Sequence, residues 1–194
     1  MDARNILSVA GVLLVLGGVG YFWGLGHKIP LEPGAGEERR PDYEATGIHS
    51  QETGKNGHVQ RRLDAPALRH YSLPRDEIEI DLPVLRTFDA GHEVWQVQAQ
   101  RALSLDEGRE IHLEGGVSAE RKRPPNSLLP ATPLRFVTRH LTAWPDEERA
   151  HSDSGIRVTD QQGEISSQIL DANLKTGSVT LKQNVTGIYA PTRQ

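Results

Sequence analysis

Glu77, Glu79 and Asp81 stand at i, i+2 and i+4, a spacing at which carboxylates could share a proton or hold a cation. On a strand, that spacing puts all three on one face, opposite Ile78 and Ile80. A solvated face, or a sheet edge guarded by charge, is the better reading. The eight histidines are scattered. No His-x-His occurs, and none has a Glu or His at helical metal-ligand spacing, so no metal site is expected. His112 alternates with apolar neighbours and is expected to face solvent. Ser152 and Ser154 lie in a polar turn without the Gly-x-Ser-x-Gly of a nucleophile elbow. The chain has no cysteine, which excludes a disulfide framework, a thiolate ligand, a Cys nucleophile and an acylated lipoprotein anchor. Neither phosphate-binding glycine pattern occurs. Asn184-Val185-Thr186 fits a glycosylation sequon, a pattern frequent by chance. The reading is therefore of a non-enzyme with no catalytic residue and no cofactor.

A formal net charge of -4 over 194 residues supplies no basic field for nucleic acid. From Asn5 to Gly26 no residue is charged, and Tyr21, Phe22 and Trp23 cluster at the far end. About 20 such residues cross a hydrocarbon core as a helix, with aromatic rings at the headgroup level. A cleaved signal peptide has a shorter apolar core and a small-x-small site. Residues 1–27 are thus expected to be a short cytoplasmic tail and a retained transmembrane helix. Gly20 and Gly24 add a small-x-x-x-small spacing along it. Residues 28–56, with Pro30, Pro33, Gly34, Gly36 and Pro41 and the run Glu37-Glu38-Arg39-Arg40, read as a linker.

From residue 57 to 191 the patterning has period two, so the expected fold is all-β. Trp95, Val97, Ala99, Leu103 and Leu105 form one apolar phase, Ile111, Leu113 and Val117 a second, Ile78, Ile80 and Leu82 a third. Shorter alternations occur around Leu134–Phe136 and Val179–Leu181. Asp106-Glu107-Gly108, Gln161-Gln162-Gly163 and Lys175-Thr176-Gly177 mark turns. Leu105-x-x-Gly108-x-x-Ile111-x-Leu113-x-x-x-Val117 is weakly repeated by Leu174-x-x-Gly177-x-Val179-x-Leu181-x-x-x-Val185. Stacked strand pairs of this kind build a continuous interior, as a closed barrel or an open two-sheet roll.

A tail, one membrane helix, a Pro-containing linker and a strand-rich domain resemble the lipopolysaccharide export family LptC. In the domain the likeness rests on an ordered set. Gly57 followed by Leu63-x-Ala65 is similar to the family's opening strand. Leu82-Pro83-Val84-Leu85-Arg86-Thr87-Phe88 and Trp95-x-Val97-x-Ala99-x-x-Ala102 are similar to its centre. Ile111-x-Leu113-x-Gly115-x-Val117 and Ala172-x-Leu174 continue it. The insert Arg121-Lys122-Arg123-Pro124-Pro125 departs from the pattern.

The resemblance implies a periplasmic β-jellyroll, an open two-sheet roll whose interior holds acyl chains, tethered to the bacterial inner membrane. It implies lipopolysaccharide as ligand, with the LptB–LptF–LptG transporter and the bridge protein LptA as partners. Ile80, Val84, Leu113, Val117, Leu134, Leu174 and Leu181 are the expected lipid-lining positions. Gly57, Leu63, Gly155, Gly163, Val179, Val185 and Tyr189 are the expected partner-binding positions. The strand region from Gly57 to Leu68 is expected to meet the transporter. The final one, Gly177 to Tyr189, keeps a free edge for the bridge protein. Acyl burial, worth about 0.8 kcal/mol per CH₂, would hold lipid without covalent chemistry. A structural or regulatory subunit acting through its membrane helix, with a dry β-sandwich, is the alternative. An envelope hydrolase lacks a nucleophile or acid–base set.

Overall fold

Short runs of alternating apolar and polar residues, cut by Gly- and Asp-rich turns, can bury one face only by stacking. The computed structural model describes residues 40–54, 57–72, 75–122, 134–173, 176 and 178–189. It has fourteen strands and no helix among them. The expected tail and membrane helix, residues 1–27, and the lipid-lining candidate Leu174 lie outside the described residues.

The strands are β1 (Tyr43–Thr53), β2 (Val59–Tyr71), β3 (Glu77–Asp81), β4 (Val84–Asp89), β5 (His92–Gln98), β6 (Arg101–Leu105) and β7 (Glu110–Arg121). They continue with β8 (Arg135–Trp144), β9 (Arg149–Ser152), β10 (Ile156–Thr159), β11 (Gly163–Ser167), β12 (Ile169–Asn173), β13 (Ser178–Lys182) and β14 (Thr186–Tyr189). All pairings are antiparallel and follow one rule. The two ends of each long strand pair with different partners. The amino-terminal half of β2 binds β4 and its carboxy-terminal half binds β3. β7 likewise divides between β6 and β5, and β8 between β10 and β9. β3 and β4 thus form one bent rung, as do β5 with β6, β9 with β10, β11 with β12, and β13 with β14. The result is a two-winged roll of nine rungs, starting at β1 and ending at β13/β14.

The corners explain where alternation breaks. In β7 the bend falls at Gly115 and Gly116, with φ of 78° and 91°. A Cβ on Gly115 would lie 2.6 Å from the side chain of Gln100, so only glycine fits. Between β3 and β4, Leu82 takes φ 44° and its N–H donates to the carbonyl of Gln100 at 2.8 Å. Between β9 and β10, Gly155 has φ 81° and its N–H donates to the carbonyl of Gln168 at 3.1 Å.

Three expectations are corrected. Residues 28–56 are not a linker throughout: β1 lies within them and pairs along nearly the whole of β2. As an edge strand, β1 sets only Ala45, Ile48 and Ser50 opposite the buried Leu68, Ala65 and Leu63, which is too sparse an apolar pattern to stand out. Leu103 and Leu105 do not share the inward phase of Trp95 and Val97, although Leu105, opposite Glu77 and Glu110, is buried at 5%. The corner at Ala99–Gln100 shifts the alternation, and Ala102 and Ser104 are the inward pair, 3% and 2% exposed. Glu79, on the outer face as expected, is not solvated. It is 6% exposed, with its carboxylate bound by Arg69 from β2 and Arg101 from β6.

Candidate functional site: the interior of the roll

The inner faces of both wings form one apolar wall. Leu63, Leu85, Val97 and Ala119 are paired in turn across β2, β4, β5 and β7. On the other wing Leu68, Ile80, Ala102 and Leu113 are paired in the same way across β2, β3, β6 and β7. All eight are buried. Where the wings approach near the corners, Leu63, Ile80, Pro83, Leu85, Val97 and Leu113 help line a cavity of about 20 Å³. That holds about one water and no acyl chain. Toward the last rungs the wall thins. Val179 and Leu181 lie opposite Ala172 and Leu170 but are only half-buried. Val185 and Tyr189 are 54% and 65% exposed.

Polar groups punctuate this wall. Thr138, buried in β8, is a hub: its Oγ1 lies 2.7 Å from Ser152 Oγ and 3.0 Å from Ser154 Oγ. The same hydroxyl approaches the carbonyl of Gly155 at 2.8 Å. Ser154 Oγ in turn accepts the backbone N–H of His140 at 2.9 Å. Side-chain hydroxyls thus hold the β8 bend against the β9/β10 corner. The hydroxyls of Thr87 and Ser104 are buried without a hydrogen-bond partner.

The predicted lining residues divide. Ile80, Leu113 and Val117 are buried in the wall, and Leu134 and Leu181 pack against its edge. Val84 is not part of it. It is paired with Asp64 and Gln98 on the outer face, and the inward residue of β4 is its neighbour Leu85. The corner at Leu82-Pro83 restarts the alternation, which a reading carried on from Ile78 and Ile80 cannot register. Leu85 is the wall residue that this phase error leaves out.

The partner candidates also divide. Leu63 is an interior residue, 7% exposed. Gly57 sits in the β1–β2 turn with φ 77°, its N–H donating to the carbonyl of Gly54. The region from Gly57 to Leu68 is paired on both sides, by β1 and by β3 and β4, so it is not an edge. The edge at that end is β1. At the other end β13 pairs only with β12, and β14 only with β11, among the described residues. Val179, Val185 and Tyr189 therefore belong to an edge rung, as expected. Gly163 faces it from β11, paired with Tyr189, and Gly155 is a corner residue bonded to the Thr138 hub.

On the outer face of the roll, polar side chains pair with one another. His112 bonds Glu110 at 2.6 Å and Thr142 at 3.2 Å. His151 bonds Asp171 at 2.7 Å, and Lys182 bonds the same carboxylate at 2.8 Å. Hydrogen bonds with Lys182 first and His151 second hold the Asp171 carboxyl below its ordinary value. The His112–Thr142, His151–Asp171 and Lys182–Asp171 contacts tie adjacent rungs together, and His112–Glu110 lies within β7. Among the described residues no three His, Asp or Glu side chains converge to hold a metal.

Comparison with known proteins gives three results. Residues 10–190 match the family model described as lipopolysaccharide-assembly, LptC-related. No curated protein matches the chain. Among solved structures it is similar to LptH of Pseudomonas aeruginosa, described as the LptA-homologous periplasmic component of the conserved lipopolysaccharide transport device. That likeness has a TM-score of 0.51 at 8% identity and covers 68% of this chain and 95% of the other. At such identity it is a likeness of fold.

Proposed function

The chain belongs to the LptC family, and on that premise we propose that it works in lipopolysaccharide transport as a conduit, not as an enzyme. The observation that carries the reading is the apolar wall that runs between two end rungs, each with one edge unpaired among the described residues. Acyl chains would lie against Leu85, Val97, Ile80 and Leu113 once the wings part. Lipopolysaccharide would arrive from an inner-membrane ABC transporter and leave to a periplasmic bridge protein of the LptA type. Unpaired strand edges recruit partners by adding a strand. We assign the β1 edge to the transporter side and the β13/β14 edge to the bridge protein. The uncharged segment from Asn5 to Gly26 would anchor the chain in the inner membrane with the roll in the periplasm.

Native mass spectrometry of the full chain, purified in mild detergent from lipopolysaccharide-containing cells, tests the conduit. Co-purified lipopolysaccharide is the expected result. The small cavity favours a second reading, a structural or regulatory subunit with a dry roll. A stoichiometric protein partner without lipid would establish that one and remove the conduit. For the edges, a chain truncated after Thr176 should fold yet lose capture of the bridge protein. Undiminished capture would place the docking edge elsewhere.

A further inference from the structure

One wing carries a second row of inward positions, just outside the apolar wall. Arg61, Thr87, Trp95 and Arg121 are paired in turn across β2, β4, β5 and β7. Each stands two residues from its counterpart in the row of Leu63, Leu85, Val97 and Ala119, so both rows share one face. Strands lie about 4.8 Å apart, which sets the two arginine backbones about 14 Å from each other along the roll. Between them Thr87 is 9% exposed, and its hydroxyl is buried with no hydrogen-bond partner. Trp95, 4% exposed, packs its ring 6.1 Å from that of Phe136.

We propose that this row is a phosphate-binding rim, which engages phosphoryl groups on the sugar of the same lipid whose acyl chains occupy the wall. The inference rests on the conduit reading above. The order of chemistry matches an amphiphile end to end: aliphatic side chains deeper in, then guanidinium, hydroxyl and guanidinium at the mouth. A guanidinium offers donors in a planar fork that fits phosphate oxygens in pairs. Arg61 is steadied by Glu52, to which its Nη1 donates at 2.7 Å. Burial lowers the Arg121 guanidinium from its ordinary value, as expected of a cation partly withdrawn from water. A buried hydroxyl without a partner costs stability, and a phosphate oxygen would supply the acceptor.

The test compares binding of lipopolysaccharide with binding of the same material after enzymatic dephosphorylation, using the full chain in detergent. The wild type should prefer the phosphorylated form by about tenfold or more, the scale of a charge-assisted contact. Arg121→Gln should remove most of that preference and leave affinity for the dephosphorylated form unchanged; Arg121→Lys should restore part of it. Thr87→Val, which deletes the partnerless hydroxyl, should reduce the preference without lowering stability and carries the test if Arg121→Gln does not fold. A preference that survives both Arg121→Gln and Thr87→Val, or equal weakening of both lipids by Arg121→Gln, overturns the rim. Equal wild-type binding of the two lipids overturns the rim alone; binding of neither overturns the conduit beneath it. Displacement of the lipid's preference by inorganic phosphate would make this a free-anion site and overturn the lipid assignment.

Discussion

Gly163 of β11 faces Tyr189 of β14, and a Cβ added at Gly163 would stand 2.9 Å from the Tyr189 Cα and closer still to the Ile188 carbonyl oxygen. The last rung can close onto its neighbour because position 163 has no side chain. Gly163→Val should therefore detach β14 while leaving the preceding rungs folded. Hydrogen exchange should show faster exchange of amides in Thr186–Tyr189 and unchanged protection in β7 and β8. Capture of the bridge protein should fall with it. Full protection of β14 in the variant would show that the close approach is not needed for pairing.

Leu85 and Val84 point to opposite faces of β4, the one opposite Leu63 and Val97, the other opposite Asp64 and Gln98. A photo-crosslinking residue at position 85 should capture lipopolysaccharide in cells, as should one at Ile80, Leu113 or Val117. The same group at position 84 should capture none. Comparable yields at 84 and 85 would refute the assignment of inner and outer faces.

Thr138 serves four polar partners, two serine hydroxyls and the carbonyls of Gly155 and His140. Thr138→Val keeps the shape and strands them inside the roll. Urea unfolding should show a loss of about 2 kcal/mol, within the range for leaving buried polar groups unpaired. A loss below about 0.5 kcal/mol would mean that the hydroxyls re-pair among themselves.

Asp171 gives the pH dependence a sign. Its folded carboxyl lies below the ordinary value of 3.8, held there by Lys182 and His151. A group whose folded value is depressed adds stability above its unfolded value and loses it as pH falls through the folded one. Stability should thus decline on acidification below about pH 4, and Asp171→Asn should flatten part of that decline. The effect is modest, since the carboxylate is 41% exposed and screened by water. Identical acid limbs for the two proteins, measured as melting temperature against pH, would rule the contribution out.

The all-β character, the turns at Asp106–Gly108 and Gln161–Gly163, and the open outer edge of the final rung were legible because alternation and turn chemistry act within a few residues. The wing in which each residue sits was not. A rung bends at Leu82-Pro83, at Ala99–Gln100 and at Gly115-Gly116, and each bend can restart the inside–outside count. Val84 and Leu103 were therefore read on the wrong side, although Ile111, Leu113 and Val117 were read correctly through a bend that inserts two residues. Glu79 was read as solvated because its two arginine partners come from strands 10 and 22 residues away. Local sequence carries no trace of those partners. Edge strand β1 escaped notice since it needs only one sparse apolar face.

Nine is an odd number, and that parity constrains assembly. Antiparallel pairing reverses the chain at every rung, so the first rung, β1, and the ninth, β13/β14, run in the same direction. A second copy added by translation along the roll, with its mouth turned the same way, would bring β1 alongside β13/β14 in parallel. Its ladder would then have the evenly spaced, slanted bonds of a parallel pair, unlike the closely and widely spaced bonds within the roll. A partner with an antiparallel ladder and an aligned mouth must present an edge strand of opposite polarity. The rung count thus fixes the polarity of the strand that each edge accepts, before any side chain is consulted.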